Sequence, residues 1–333
     1  MKSSAANRHG TPEGVSYFID KKPAPADFLE EVKLGLSKSP KSLPPKFFYD
    51  VTGSDLFNKI CETPEYYVTR TEVALLELFG AEIAARAGPA RTVIEYGCGS
   101  SLKINALLHA LIDPAEYLAI DISREHLLQT AADIAKAHPS IEVGAICGDF
   151  SSTLSLPETV GEGGRRLAFF PGSTIGNQTP QEAAQFLNIV RAAVGHDGSL
   201  LIGVDLEKDS SLLTSAYNDA DGYTAAFNLN LLHRIRNELG GDINVSQFRH
   251  NAFFNESLHR IEMHLVSLCR QEIVVGGQTF RFDNQETLHT ESSYKYTVDR
   301  FTELATSSGF HVTETWTDPD SLFSIHYLDV SGD

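Results

Sequence analysis

The chain has 333 residues, 42% hydrophobic and 21% charged, the balance of a folded protein rather than a disordered one. A formal net charge of -17 speaks against nucleic acid, whose binding draws its affinity from lysines and arginines that displace counterions. Four well-separated cysteines fit free thiols, and a polar start from Met1 to Gly14 with no membrane-length apolar run predicts a cytoplasmic protein without a membrane partner.

Residues 1 to about 15 carry no periodicity and read as a flexible lead. Apolar Phe28, Leu29, Val32, Leu34 and Leu36 predict an amphipathic helix from Pro25 to Leu36, which the proline-rich run to Pro45 ends. A helix from Gly53 to Cys61 follows, and then a long alanine- and leucine-rich one from Thr69 to Arg86. Alternation begins with a strand at Arg91 to Tyr96, a helix at Leu102 to Ile112, a strand at Glu116 to Ile120 and a helix at Arg124 to Ala137. It continues with strands at Ile141 to Ile146 and Leu167 to Phe170, a helix at Gln181 to Val194 and a strand at Ser199 to Asp205. That rhythm predicts a parallel sheet covered on both faces.

After Asp205 the rhythm breaks. A helical, polar stretch runs to Leu239, and antiparallel strands are expected at Phe248 to Asn255, Arg260 to Cys269 and Glu272 to Phe282. A helix at Val298 to Ser308 and strands near Phe310 to Trp316 and Leu322 to Leu328 return to the sheet. The expected fold is α/β: a doubly wound Rossmann-like sheet with an inserted α+β lobe. Residues 16–68 are assigned to the helical part of that lobe and 206–292 to its insertion, with 69–205 and 293–333 forming the sheet domain.

The run Val93-Ile94-Glu95-Tyr96-Gly97-Cys98-Gly99-Ser100-Ser101 is a strand that ends in an acidic residue and two glycines before a helix, which lets a ligand approach the backbone. Leu102 stands where a dinucleotide fingerprint has its third glycine, so the pattern favours S-adenosylmethionine over NAD. Asp121 follows Gly99 by about 20 residues, the distance at which such folds place a carboxylate on ribose hydroxyls. At the next strand end, Asp149 can accept from an adenine amino group and Phe150 can pack on the ring. Each feature alone is also an ordinary turn or cap, but their succession at three strand ends points to one nucleoside.

Lys103 is a candidate partner for the cofactor carboxylate, with an exposed helical lysine as the blander account. Phe170 to Asn177 forms a fourth strand end, small and polar, where α/β folds take their substrates. No helical histidine pair with a catalytic glutamate and no nucleophile elbow occurs, so neither a metal nor hydrolase chemistry is expected. His233, His250, His259 and His264 read as solvated or packed.

The sequence resembles the ergothioneine-pathway L-histidine N-alpha-methyltransferase family from about Phe28 to Leu328. The pieces that carry the likeness are Phe48-Tyr49-Asp50 with Gly53 to Phe57, Pro64 to Tyr67 with Thr69 to Glu72, Glu95 to Ser101, and Gly172 to Asn177. Further pieces are Ala216-Tyr217, Phe227-Asn228, Ile261 to Met263 and Glu291 to Ser293. The chain departs from the family pattern at Tyr96 and Cys98, where leucine and a small residue are commoner.

The resemblance implies a class I methyltransferase sheet, with Asn177 and Tyr217 on the substrate carboxylate. It places Gly172 in the substrate loop and puts Tyr66, Met263, Glu291 and Ser293 around an imidazole. It also gathers Tyr49, Gly97, Lys103, Asp121, Asp149 and Phe150 about S-adenosylmethionine, with no metal. The expected reaction is stepwise methylation of the α-amino nitrogen of L-histidine, up to three times, to hercynine, in a monomer. Tyr49 is the candidate to hold or relay the amine proton, a task bulk water can also serve. The alternatives are methylation of another amino acid or small amine, and a noncatalytic S-adenosylmethionine-binding module.

Overall fold

The computed structural model describes residues 11–21, 25–89, 91–99, 101–150, 156–157, 160 and 165–331; most of the expected lead and Ser100 lie outside them. The chain opens with β1 (Tyr17–Asp20), α1 (Pro25–Ser37), β2 (Lys41–Ser42), α2 (Val51–Glu62) and α3 (Tyr67–Ala87). Next come β3 (Thr92–Tyr96), α4 (Ser101–Ala110), β4 (Glu116–Asp121), α5 (Arg124–Ala137), β5 (Glu142–Cys147) and β6 (Arg166–Phe170). These lead to α6 (Pro180–Val194), β7 (Ser199–Asp205), α7 (Ser210–Ser215) and α8 (Tyr223–Glu238). The strands β8 (Phe248–Asn255), β9 (Arg260–Ser267), β10 (Gln271–Val275), β11 (Gln278–Phe282) and β12 (Thr287–Tyr294) follow. α9 (Val298–Ser307), β13 (Phe310–Thr317) and β14 (Phe323–Val330) close the chain.

The described residues fall into two compact units: the first within Met1–Lys22, Val68–Glu207 and Lys295–Asp333, the second within Pro23–Tyr67 and Lys208–Tyr294. The first holds an eight-stranded sheet in the order β1-β5-β4-β3-β6-β7-β14-β13. From β1 to β7 every pairing is parallel, and β14 runs antiparallel to both of its neighbours. Strands with helices on both faces must be apolar throughout, and all seven residues of β7 are buried. The chain winds outward from β3 to β5 and then returns beside β3 with β6. This reversal is the switch point at which open α/β sheets leave a crevice beyond their strand ends.

Residues from 16 onward were expected in the inserted lobe, yet Tyr17–Asp20 pairs with β5 in this sheet. Four residues are too few to show a period, and their partner lies far along the chain. The Tyr17 ring occupies the space above Gly144, where a Cβ would stand 2.2 Å from its Cζ, and its hydroxyl donates to Glu116 at 3.1 Å.

The second unit is built on the sheet β2-β12-β9-β8, antiparallel except for the short β2, with β10 and β11 as a separate hairpin. Glu272 to Phe282, expected as one strand, is that hairpin. Gly276 and Gly277, at φ of 54° and 77°, supply the positive-φ turn. β12 escaped the sequence reading because its residues are mostly polar and a bulge between His289 and Glu291 breaks the alternation. The Phe48 and Phe227 rings pack in a tilted pair at 4.5 Å, bringing the turn before α2 onto α8. Among the described residues no helix is long and apolar enough to cross a membrane.

Candidate active site

In the first unit, Gly97, Asp121, Asp149 and Phe150 lie at or just beyond the carboxyl ends of three neighbouring parallel strands, β3, β4 and β5. The strand interiors are fully buried, but these four residues and Gly99 are half-buried, so the strand ends are partly open to solvent here. Gly97 has φ of 77°, a left-handed turn that disfavours any side chain, and beyond Gly99 an added Cβ would meet nothing within 4 Å. The Gly99 carbonyl is held by His126 Nε2 at 2.8 Å and by the Thr130 hydroxyl at 3.3 Å.

Asp121 Oδ1 accepts from the Ser123 amide at 2.8 Å, and burial pushes its carboxyl up from the ordinary range against that bond. The Phe150 ring packs edge-to-face against Tyr96, Phe170 and Phe186, at 6.3, 5.7 and 5.8 Å. A carboxylate for vicinal hydroxyls, a second for an amino group and an aromatic wall for a purine face fit the nucleoside of S-adenosylmethionine.

Glu95, the acidic end of β3, does not face solvent. It is buried, accepts from the Tyr117 hydroxyl at 2.5 Å, and burial lifts its carboxyl to about 8. Lys103 on α4 is paired with Glu72 of α3 at 2.7 Å. The Gly172 amide donates to the same carboxylate at 2.8 and 3.1 Å. Past it, Ser173 takes a left-handed φ of 56° and its hydroxyl accepts from the Asp205 amide, fixing the turn that presents Asn177 half-buried.

In the second unit, Tyr49, Tyr66, Tyr217, Met263, Glu291 and Ser293 are brought together by side-chain packing rather than by strand ends. Tyr49 meets the rings of Phe57 and Phe227 at 5.9 and 5.7 Å, Phe57 meets Tyr66 at 6.1 Å, and Tyr66 meets Tyr217 at 6.3 Å. The Tyr217 hydroxyl donates to Ser293 Oγ at 2.9 Å. Glu291 lies opposite Met263 across the β12–β9 ladder, and Ser293, two residues on, shares its face; all three are buried.

Behind them runs a chain of polar contacts that the sequence reading missed. His250 Nε2 meets the Tyr217 carbonyl at 2.9 Å, and Asn228 Nδ2 bridges His250 Nδ1 and the His264 carbonyl. Thr290, at the bulge, donates to Asn228 at 2.8 Å. Burial holds His250 below its ordinary pKa.

The alternate face of the same sheet brings Glu262, His264 and His289 together, with ligand-type atoms within 4.8 Å of one another. Arg260 and Asn255 already engage the Glu262 carboxylate, at 2.6 and 3.0 Å, and the guanidinium charge opposes a cation there.

Residues 28–330 match the family described as histidine-specific methyltransferase, SAM-dependent. The chain belongs to this family. A histidine N-alpha-methyltransferase of Mycolicibacterium smegmatis is 41% identical over 89% of this chain and 92% of its own. One of Mycobacterium tuberculosis is 41% identical with the same coverage. A 4-dimethylallyltryptophan N-methyltransferase of Claviceps purpurea is 27% identical over 90% of this chain and 94% of its own.

For a histidine-specific methyltransferase the departures at Tyr96 and Cys98 have simple consequences. Tyr96 is buried and adds its ring to the wall around Phe150 and Phe186, while Cys98 is fully buried and burial pushes its thiol up, so the turn keeps its shape and gains no nucleophile. Glu72, the buried partner of Lys103 and Gly172, was given no role by the sequence reading. A signal for it existed: it is a carboxylate on the buried stripe of α3 that also carries Val68, Leu75, Leu76 and Ile83.

Proposed function

We propose that this methyltransferase transfers methyl groups from S-adenosylmethionine to the α-amino nitrogen of L-histidine, up to three times, to give hercynine for ergothioneine biosynthesis. The observation that carries the histidine reading is the buried pair Glu291 and Ser293 on one face of β12, opposite Met263. An imidazole has a ring nitrogen for each of them, whereas a phenyl ring offers no hydrogen bond to either the carboxylate or the hydroxyl.

S-adenosylmethionine, when bound, supplies an electrophilic sulfonium methyl. Asp121 holds the ribose hydroxyls, Asp149 the adenine amino group, Phe150 and Gly97 line the purine and backbone sides, and Lys103 meets the carboxylate. Asn177 and Tyr217 take the carboxylate of histidine, with Gly172 shaping the loop, and Tyr66 and Met263 wall the ring. Tyr49 receives or relays the proton that the amine must lose before each attack. Placement does most of the work: a near-attack geometry lowers the barrier by roughly 7 to 11 kcal/mol. The protein works as a monomer in the cytoplasm, with a small molecule as its partner.

The test is mass spectrometry on a panel of amino acids incubated with enzyme and S-adenosylmethionine. Histidine gains three methyl units as S-adenosylhomocysteine appears. Preference for tryptophan or tyrosine overturns the substrate, and cofactor binding without turnover on any amine overturns the reaction.

A further inference from the structure

Glu72 is fully enclosed, and a buried carboxylate persists only with partners. Among the described residues it has two: Lys103 Nζ at 2.7 Å from Oε2, and the Gly172 amide at 2.8 and 3.1 Å from its two oxygens. The surrounding backbone is shaped to admit it. A Cβ at Gly203 on β7 would stand 2.0 Å from Oε1, and a Cβ at Gly172 would stand 3.2 Å from Lys103 Nζ. Carboxylate, ammonium and amide thus form one knot drawn from α3, α4 and the loop after β6.

A lysine on its four-carbon stem otherwise ranges over many rotamers, and ordering it is entropically unfavourable. The contact with Glu72 uses part of the ammonium's capacity of three donors and leaves the rest for an incoming anion. It also leaves the pair neutral, so a zwitterionic amino-acid end can enter without stranding a like charge.

We propose that Glu72 is a positioning residue: it holds the Lys103 ammonium where the carboxylate of the methyl donor must sit. The proposal rests on the reading of Lys103 as that carboxylate's partner. Glu72 acts through Lys103 and touches neither the methyl group nor the amine.

Two ligands separate positioning from mere structure. S-adenosylhomocysteine carries the amino-acid end, and 5′-methylthioadenosine shares the nucleoside and sulfur but lacks it. By titration calorimetry on the full chain, Glu72→Gln weakens S-adenosylhomocysteine about tenfold or more and 5′-methylthioadenosine less than about twofold, the loss expected for one charge-assisted contact. Equal loss for both ligands, or loss for neither, overturns the role.

Lys103→Met tests the underlying reading separately. If it fails to discriminate between the two ligands, Lys103 is not the carboxylate's partner; if it discriminates and Glu72→Gln does not, only the role of Glu72 falls. Should Glu72→Gln alone fold poorly with its lysine left unpaired, Glu72→Gln/Lys103→Met removes both charges at similar volume. That double variant shows the same ligand ratio as Lys103→Met, and a further tenfold or so change in the ratio overturns the coupling.

Discussion

The two units assemble their proposed ligand groups by different means. In the first, the proposed groups hang from the ends of parallel strands, so the topology itself delivers Gly97, Asp121, Asp149 and Phe150 to one edge. In the second, alternate residues of an antiparallel ladder supply Met263, Glu291 and Ser293, while Tyr49, Tyr66 and Tyr217 come from separate turns and are aligned only by ring contacts and one hydroxyl bond. A strand-end site constrains few side chains and can stay the same whatever amine is methylated. A packed pocket constrains many, and that is where specificity can change.

That contrast is open to attack from the donor side first. Asp121→Ala removes the acceptor for two ribose hydroxyls, and losing two charge-assisted bonds weakens S-adenosylhomocysteine about a thousandfold. Titration calorimetry reads this directly, and methylation of every amine falls together. A loss confined to histidine contradicts the assignment.

The acceptor side predicts the opposite pattern. Glu291→Ala lowers kcat/KM for histidine about a hundredfold, since a ring N–H loses its charged partner, and leaves S-adenosylhomocysteine affinity unchanged. Steady-state kinetics beside calorimetry decides, and parallel loss of both quantities denies that the two units divide the work.

The legibility of the sequence follows the same division. The strand and helix rhythm from Thr92 to Asp205 could be read because buried parallel strands are continuously apolar and their glycines and carboxylates fall at strand ends in chain order. The strand-end places of Asp121 and Asp149 needed nothing more. No spacing announces that Tyr66 and Tyr217 meet or that Tyr217 reaches the strand that carries Glu291, since they lie on three distant segments, and the family likeness alone suggested grouping them. β12, which carries two of the pocket residues, was hidden by its own polarity and bulge. Glu95, the acidic residue ahead of the two glycines, is turned inward to Tyr117, a partner on the neighbouring strand that no local spacing announces.

A smaller effect tests Tyr49. Tyr49→Phe keeps the ring contacts with Phe57 and Phe227 but removes the hydroxyl. Overall rate falls about tenfold, near the low end for a lost proton-transfer group that water can replace, and partly methylated histidine accumulates. Mass spectrometry of the product distribution checks it, and an unchanged distribution counts against a proton role.

The smallest effect concerns stability, and it belongs to the first unit alone. Burial lifts Glu95 to about 8 from an ordinary 4.5, with Asp121 and Glu72 adding to the rise and Tyr117 and Lys103 opposing it. Between those two values the folded protein keeps a proton that the unfolded chain has lost. Unfolding therefore releases a proton in that window, and stability is full below the unfolded pKa and declines as pH rises through the folded one. Glu95→Gln still offers Tyr117 an acceptor and has no proton to lose. In thermal melts without cofactor, the unaltered protein loses more of its Tm than the variant between about pH 5 and about pH 8, by a few degrees at most. Parallel curves for the two would mean that Glu95 is already ionised in the fold, and that its bond with Tyr117 is a carboxylate contact rather than a protonated pair.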